Sequence, residues 1–135
     1  MIDLCELLRA ELAANGARGN RFGTTSEDVF NLAQLMSAIS ASFSKSDVKE
    51  IQKTFNIHTK VWSKFLLVLN DSRLKVLRES NYNLPSSYSA LYALSVMDDE
   101  EFESYLKETS IDETTSTRAI IGWTQNFRAL SYQLA

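Results

Sequence analysis

Apolar residues recur along most of this chain at spacings of three and four, a pattern that predicts helices throughout and no strand. Between residues 48 and 69, VKEIQKTFNIHTKVWSKFLLVL, two short amphipathic stretches flank Phe55, Asn56 and Ile57. In the first, Val48, Ile51 and Phe55 fall on one stripe and leave Lys49, Glu50 and Lys53 outward. Asn56 tolerates the left-handed backbone that a sharp reversal needs, and Ile57 returns an apolar side chain to the core. In the second, Val61, Trp62, Phe65, Leu66 and Leu69 are expected inward, with Thr59, Lys60, Ser63 and Lys64 outward. This is the outline of a helix-turn-helix over about residues 46–69. Its outer face of two lysines and two hydroxyls suits the DNA major groove, where Lys meets phosphates or guanine edges and Ser/Thr bond to phosphates or bases. A plain helical hairpin with a solvated lysine face has the same periodicity.

The flanking elements follow from the same pattern. Residues 1–14 predict a helix with Leu4, Leu8 and Leu12 in line and Cys5 beside them as a core or interface thiol. NGARGNRFGTT, holding three of the four glycines with Arg18 and Arg21, breaks it as a linker or a basic loop, and lacks the Lys-Ser/Thr ending of a phosphate-cradling loop. Thr25 and Asp28 cap a central packing helix to about Ser42, with Val29, Leu32, Ala33, Met36, Ile39 and Phe43 in one stripe. Ser44 and Asp47 cap the first motif helix. After Asn70, Asp71 and Ser72, a short helix turns Leu74 and Leu77 in and Arg73, Lys75 and Arg78 out, adding three cations beside the motif; Asn81 to Pro85 stops it. Ser86 or Ser87 opens a helix through Leu91, Leu94 and Met97, and Asp98 with Glu101 caps DEEFESYLKE. Residues 114–134 form the last helix, with Ala119, Ile120, Trp123, Phe127 and Leu130 buried and Gly122 weakening it by about 1 kcal/mol relative to Ala. The expected fold is an all-α compact bundle of seven to eight helices, one domain over 1–135, with an acidic C-terminal part from about residue 86.

Composition narrows the function. A chain of 135 residues that is 44% hydrophobic can bury a core without staples. A single cysteine and the lack of a long apolar run or signal pattern predict a cytoplasmic protein with no membrane partner. The net charge of −3 is unevenly spread. Residues 1–44 carry −2, residues 45–79 carry +4 and residues 80–135 carry −5. The positive third coincides with the helix-turn-helix, as an electrostatic footprint for nucleic acid should.

FNIHTKVWSKFLL resembles the helix-turn-helix core of ParB/KorB-type partition proteins and small phage- and plasmid-borne relatives, F-G-[IV]-S-x-x-T-[AV]-x-[RK]-[FY]-[LM], through Phe55, Ile57, Lys64, Phe65 and Leu66. Downstream, Leu84, Pro85, Ser87, Leu91, Tyr92, Leu94 and Ser95 are similar to their L-P-x-S-x-x-x-L-Y-x-L-S stretch, and Thr117, Arg118, Ala119, Ile120 and Trp123 to the opening of their last helix. The likeness spans about residues 45–125. Asn56 stands where Gly is usual, Trp62 where a small residue lets the helices approach, and Leu67 where a polar contact residue is expected. Trp62 is expected to widen or rotate the helix pair, because close packing leaves no room for its volume. The resemblance implies a small DNA-binding regulator or accessory protein, nucleoid-associated or active in a host cytoplasm.

No catalytic, cofactor or metal site is expected. One histidine, His58, and one cysteine supply neither a triad nor a zinc set, and the carboxylates of DEEFESYLKE suit a helix N-terminus better than an octahedral site. The expected DNA contacts are Thr59, Lys60, Ser63, Lys64, Arg73 and Lys75, with double-stranded DNA as partner and a homodimer allowed. A second reading makes the helix-turn-helix a scaffold for protein binding through the acidic C-terminal part and its aromatics Tyr88, Tyr92, Phe102 and Tyr105.

Overall fold

The computed structural model describes residues 3–17 and 25–134, with side chains described for 3–14 and 25–133. Among the described residues there are eight helices and no strand: α1 (Leu4–Ala17), α2 (Ser26–Ser42), α3 (Lys45–Thr54), α4 (Thr59–Asn70), α5 (Ser72–Glu79), α6 (Tyr88–Ser95), α7 (Asp99–Glu108) and α8 (Thr117–Leu134). The expected loop with Arg18 and Arg21 lies outside the described residues apart from its first three positions, which extend α1, and Thr25.

Most boundaries are set by local hydrogen bonds that satisfy otherwise unpaired amides of the first turn. Thr25, Ser44 and Ser87 each accept from the backbone N–H three residues on, and Asp71 accepts from Arg73 N and Leu74 N. At α7 the capping box is complete, with Asp98 accepting from Glu101 N and Glu101 from Asp98 N.

The buried apolar residues form one cluster running from Leu8 through α2 and α4 to Ile120. Helix α2 is the central element and packs most extensively on α4, which in turn packs on α6. On α2, Val29, Leu32, Ala33, Met36 and Ile39 are buried as expected. Phe30, outside the expected stripe, is buried too, whereas Phe43 is the C-cap residue and 40% exposed, because the helix ends one residue before it. The Trp62 side chain is directed toward α2. Its indole is buried and reaches α2, where Nε1 donates to Ser40 Oγ at 2.9 Å. The Trp thereby fills the α2–α4 contact.

On α8, Ile120 is buried, Trp123 and Phe127 are half-buried, and Ala119 and Leu130 are exposed, so the expected buried stripe stops near Phe127. Trp123 lies edge-on to Tyr105 of α7 and stacks on Phe127. The acidic helix is not uniformly a solvated surface either. Glu101 is 2% exposed and accepts from Arg128 Nε at 2.6 Å and Nη2 at 3.2 Å, pinning α7 to α8. Phe102 and Tyr105 are buried, which corrects their assignment to an aromatic surface; Tyr88, stacked on Phe65, and Tyr92 are half-buried.

Candidate nucleic-acid interface

Helices α3 and α4 are joined by four residues, Phe55 to His58. Asn56 has φ 55°, the left-handed conformation that Asn tolerates better than most residues. Ile57 N donates to Gln52 O at 2.9 Å, and its side chain is buried. Gln52, itself buried, accepts from Thr59 Oγ1 at 3.0 Å and so ties the end of α3 to the first turn of α4. His58 is the N-cap of α4: its Nδ1 accepts from Lys60 N at 3.0 Å. That role requires an unprotonated Nδ1 and occupies the ring nitrogen nearest the helix.

Helix α4 buries Trp62, Phe65 and Val68 and half-buries Val61, Leu66 and Leu69. What it leaves exposed is a narrow stripe of Lys60, Ser63, Leu67 and Asn70, with Thr59 at its start. The positions expected outward therefore divide. Thr59, Lys60 and Ser63 are exposed. Lys64 is turned sideways, its ammonium 5.1 Å from the centre of the Tyr92 ring on α6.

Two of the three α5 cations expected to face out have structural partners. Arg73 donates to Asp71 Oδ2 at 3.0 Å, to Asp99 Oδ1 at 3.3 Å and to the Ser95 carbonyl at 3.1 Å, with its guanidinium 4.5 Å over Phe102. It is a cross-link between α5, α6 and α7. Arg78 donates to both oxygens of Glu27 and lies over Phe30; the hydrogen bond holds the Glu27 carboxyl below the usual carboxylate range. Only Lys75 of the three is exposed, and it borders a depression shared with Glu27, Gln34 and Glu79.

A different set of cations gathers at the motif. Lys45, Lys49 and Lys53 recur every four residues along the exposed side of α3. Lys49 and Lys53 line a shallow concavity of about 800 Å³ at the α3–α4 connection, together with Asn56, His58 and Thr59. The N-terminal end of α4, with its partial positive charge, belongs to the same place. One carboxylate interferes: Glu50 pairs with Lys53 at 3.6 Å, both more than 70% exposed, an arrangement worth little in water. The i, i+4, i+8 spacing of the lysines was visible in the sequence, but their convergence with the start of α4 needs the turn geometry. Among the described residues no group of three or more His, Cys, Asp or Glu could hold a metal ion, and no helix is long and apolar enough to cross a membrane.

Comparison with family models, with characterised proteins and with solved structures finds no match. The ParB/KorB likeness thus rests on the quoted residues alone.

Proposed function

We propose that the chain binds double-stranded DNA through the α3–turn–α4 unit, with α4 presented to the major groove. The observation that carries this reading is the basic concavity at the turn. There Lys49 and Lys53 and the N-terminal end of α4 offer positive charge, with the exposed Lys60 in the first turn of α4, on an otherwise acidic protein. In this arrangement the α3 lysines and Lys60 take phosphates, while Ser63, Leu67 and Asn70 face base edges. Leu67, exposed where a polar contact was expected, is suited to a thymine methyl, and Asn70 to adenine. Arg73 drops out of the contact set, Lys64 stands at its margin, and Lys75 borders a different depression.

The test is fluorescence anisotropy with a labelled 30-base-pair duplex of random sequence at low and moderate salt. Contacts from Lys45, Lys49, Lys53 and Lys60 would give a log–log salt slope of about −3.6, so affinity should fall roughly 150-fold between about 50 and 200 mM salt. No binding at the lower salt concentration would refute the proposal.

A further inference from the structure

Beside α4, α6 and α8 flank a groove of about 340 Å³. Its walls carry Val96, just after α6, and Ile121 of α8, which are 51% and 46% exposed, large aliphatic side chains left open to water. Between them Ala93 is buried and the Thr124 hydroxyl donates to Ile120 O, while Ser89, Thr117 and Gln125 add uncharged polar groups to the lining. The rim is basic. Lys64 of α4 has no carboxylate partner among the described residues, and Arg128 of α8 uses Nε and Nη2 on Glu101 while its side chain stays 57% exposed. No acidic side chain lines the groove.

We propose that this groove docks a short acidic segment of another protein, with one or two apolar side chains seated between Val96 and Ile121 and carboxylates meeting Lys64 and Arg128. The volume is at the lower end of ordinary ligand sites, and a trough open between two helices suits the anchor residues of a peptide better than a compact metabolite. Charge complementarity sets the sign of the partner. A second copy of this chain does not supply the segment from its acidic helix, because the apolar side chains Phe102 and Tyr105 of α7 are already buried in their own core. Lys60 and the α3 lysines do not line the groove, so of the proposed DNA contacts only the marginal Lys64 is shared with it.

A random 12-residue peptide display library, selected on the immobilised full chain, tests it. Enriched peptides should combine Leu, Ile or Phe with neighbouring Asp or Glu. The strongest, made synthetically with a fluorescent label, should bind Ile121→Asp and Val96→Asp at least about tenfold more weakly than wild type, as loss of a central anchor contact does. Lys64→Glu should weaken it and flatten its salt dependence, and Lys60→Ala should leave it unchanged. Val96, Ile121 and Lys60 are exposed and Lys64 is half-buried, and circular dichroism verifies that each variant is folded. Failure to enrich any peptide, enrichment of basic or uncharged peptides, or equal binding by Ile121→Asp would overturn the proposal.

Discussion

Three neighbouring carboxylates on α7 have sharply different surroundings, and their substitution should separate accordingly. Glu101 is 2% exposed, accepts from Asp98 N at 2.9 Å, and holds Arg128 through two hydrogen bonds. Glu101→Ala removes the acceptor of the Asp98 amide and a charge-assisted pair with a guanidinium that regains water, so the total should be about 2–3 kcal/mol. For a domain of this size that is a fall in Tm of roughly 6–10 °C. Glu101→Lys should be worse, about 3–5 kcal/mol, because it sets an unpaired buried cation beside Arg128. Glu100→Lys and Glu103→Lys alter exposed side chains, the latter in a solvated pair with Lys107, and should cost at most about 1 kcal/mol each. The pH dependence adds a second signature. The Arg128 hydrogen bond, helped by the Asp98 amide, holds the Glu101 carboxyl below its ordinary 4.5 despite burial. The unfolded chain then binds this proton more readily than the folded one, so the stabilisation is complete above about pH 5 and fades as pH falls through the depressed folded value. Urea unfolding followed by circular dichroism from pH 7 down to pH 3 measures both effects. If Glu101→Ala were as mild as Glu100→Lys, or if its deficit persisted undiminished at the acid end, the buried pair would not hold α7 to α8.

Gly122→Ala should stabilise the protein by about 0.5–1 kcal/mol, since a Cβ there meets no atom within 4 Å and α8 gains helix propensity; thermal unfolding checks it. Ser40→Ala should cost about 1–3 kcal/mol by leaving the buried Trp62 N–H unpaired, whereas Trp62→Phe with Ser40→Ala should cost less than the sum of the two single changes, a coupling measurable by a double-mutant cycle.

What was legible in the sequence was local. Ser44, Asp71, Ser87 and the Asp98/Glu101 box act within three residues of themselves, so their positions could be read directly, and so could the left-handed turn at Asn56. The partners of Arg73 lie as far as 26 residues away, those of Arg78 51 residues and those of Glu101 27 residues. Periodicity places such side chains on an outer face but does not show what packs over it. The same gap misjudged Leu130, whose spacing matches the stripe of Ile120, Trp123 and Phe127 although it is exposed among the described residues. His58 illustrates a middle case: its place at the turn was readable, and its role as a cap means that His58→Ala disturbs α4 itself.

The most direct test of DNA binding by the α3–α4 unit is the salt slope of a variant with Lys49, Lys53 and Lys60 all replaced by Ala. These side chains are exposed, so the fold should be retained. Titrating the random-sequence duplex, wild type should show the steep decline in affinity with salt, and the triple variant a slope flatter by up to about 2.7 units. Lys75→Ala, beside a different depression, should match wild type. A triple variant with the wild-type slope and affinity, or a wild-type chain that does not bind the duplex at about 50 mM salt, would contradict the account.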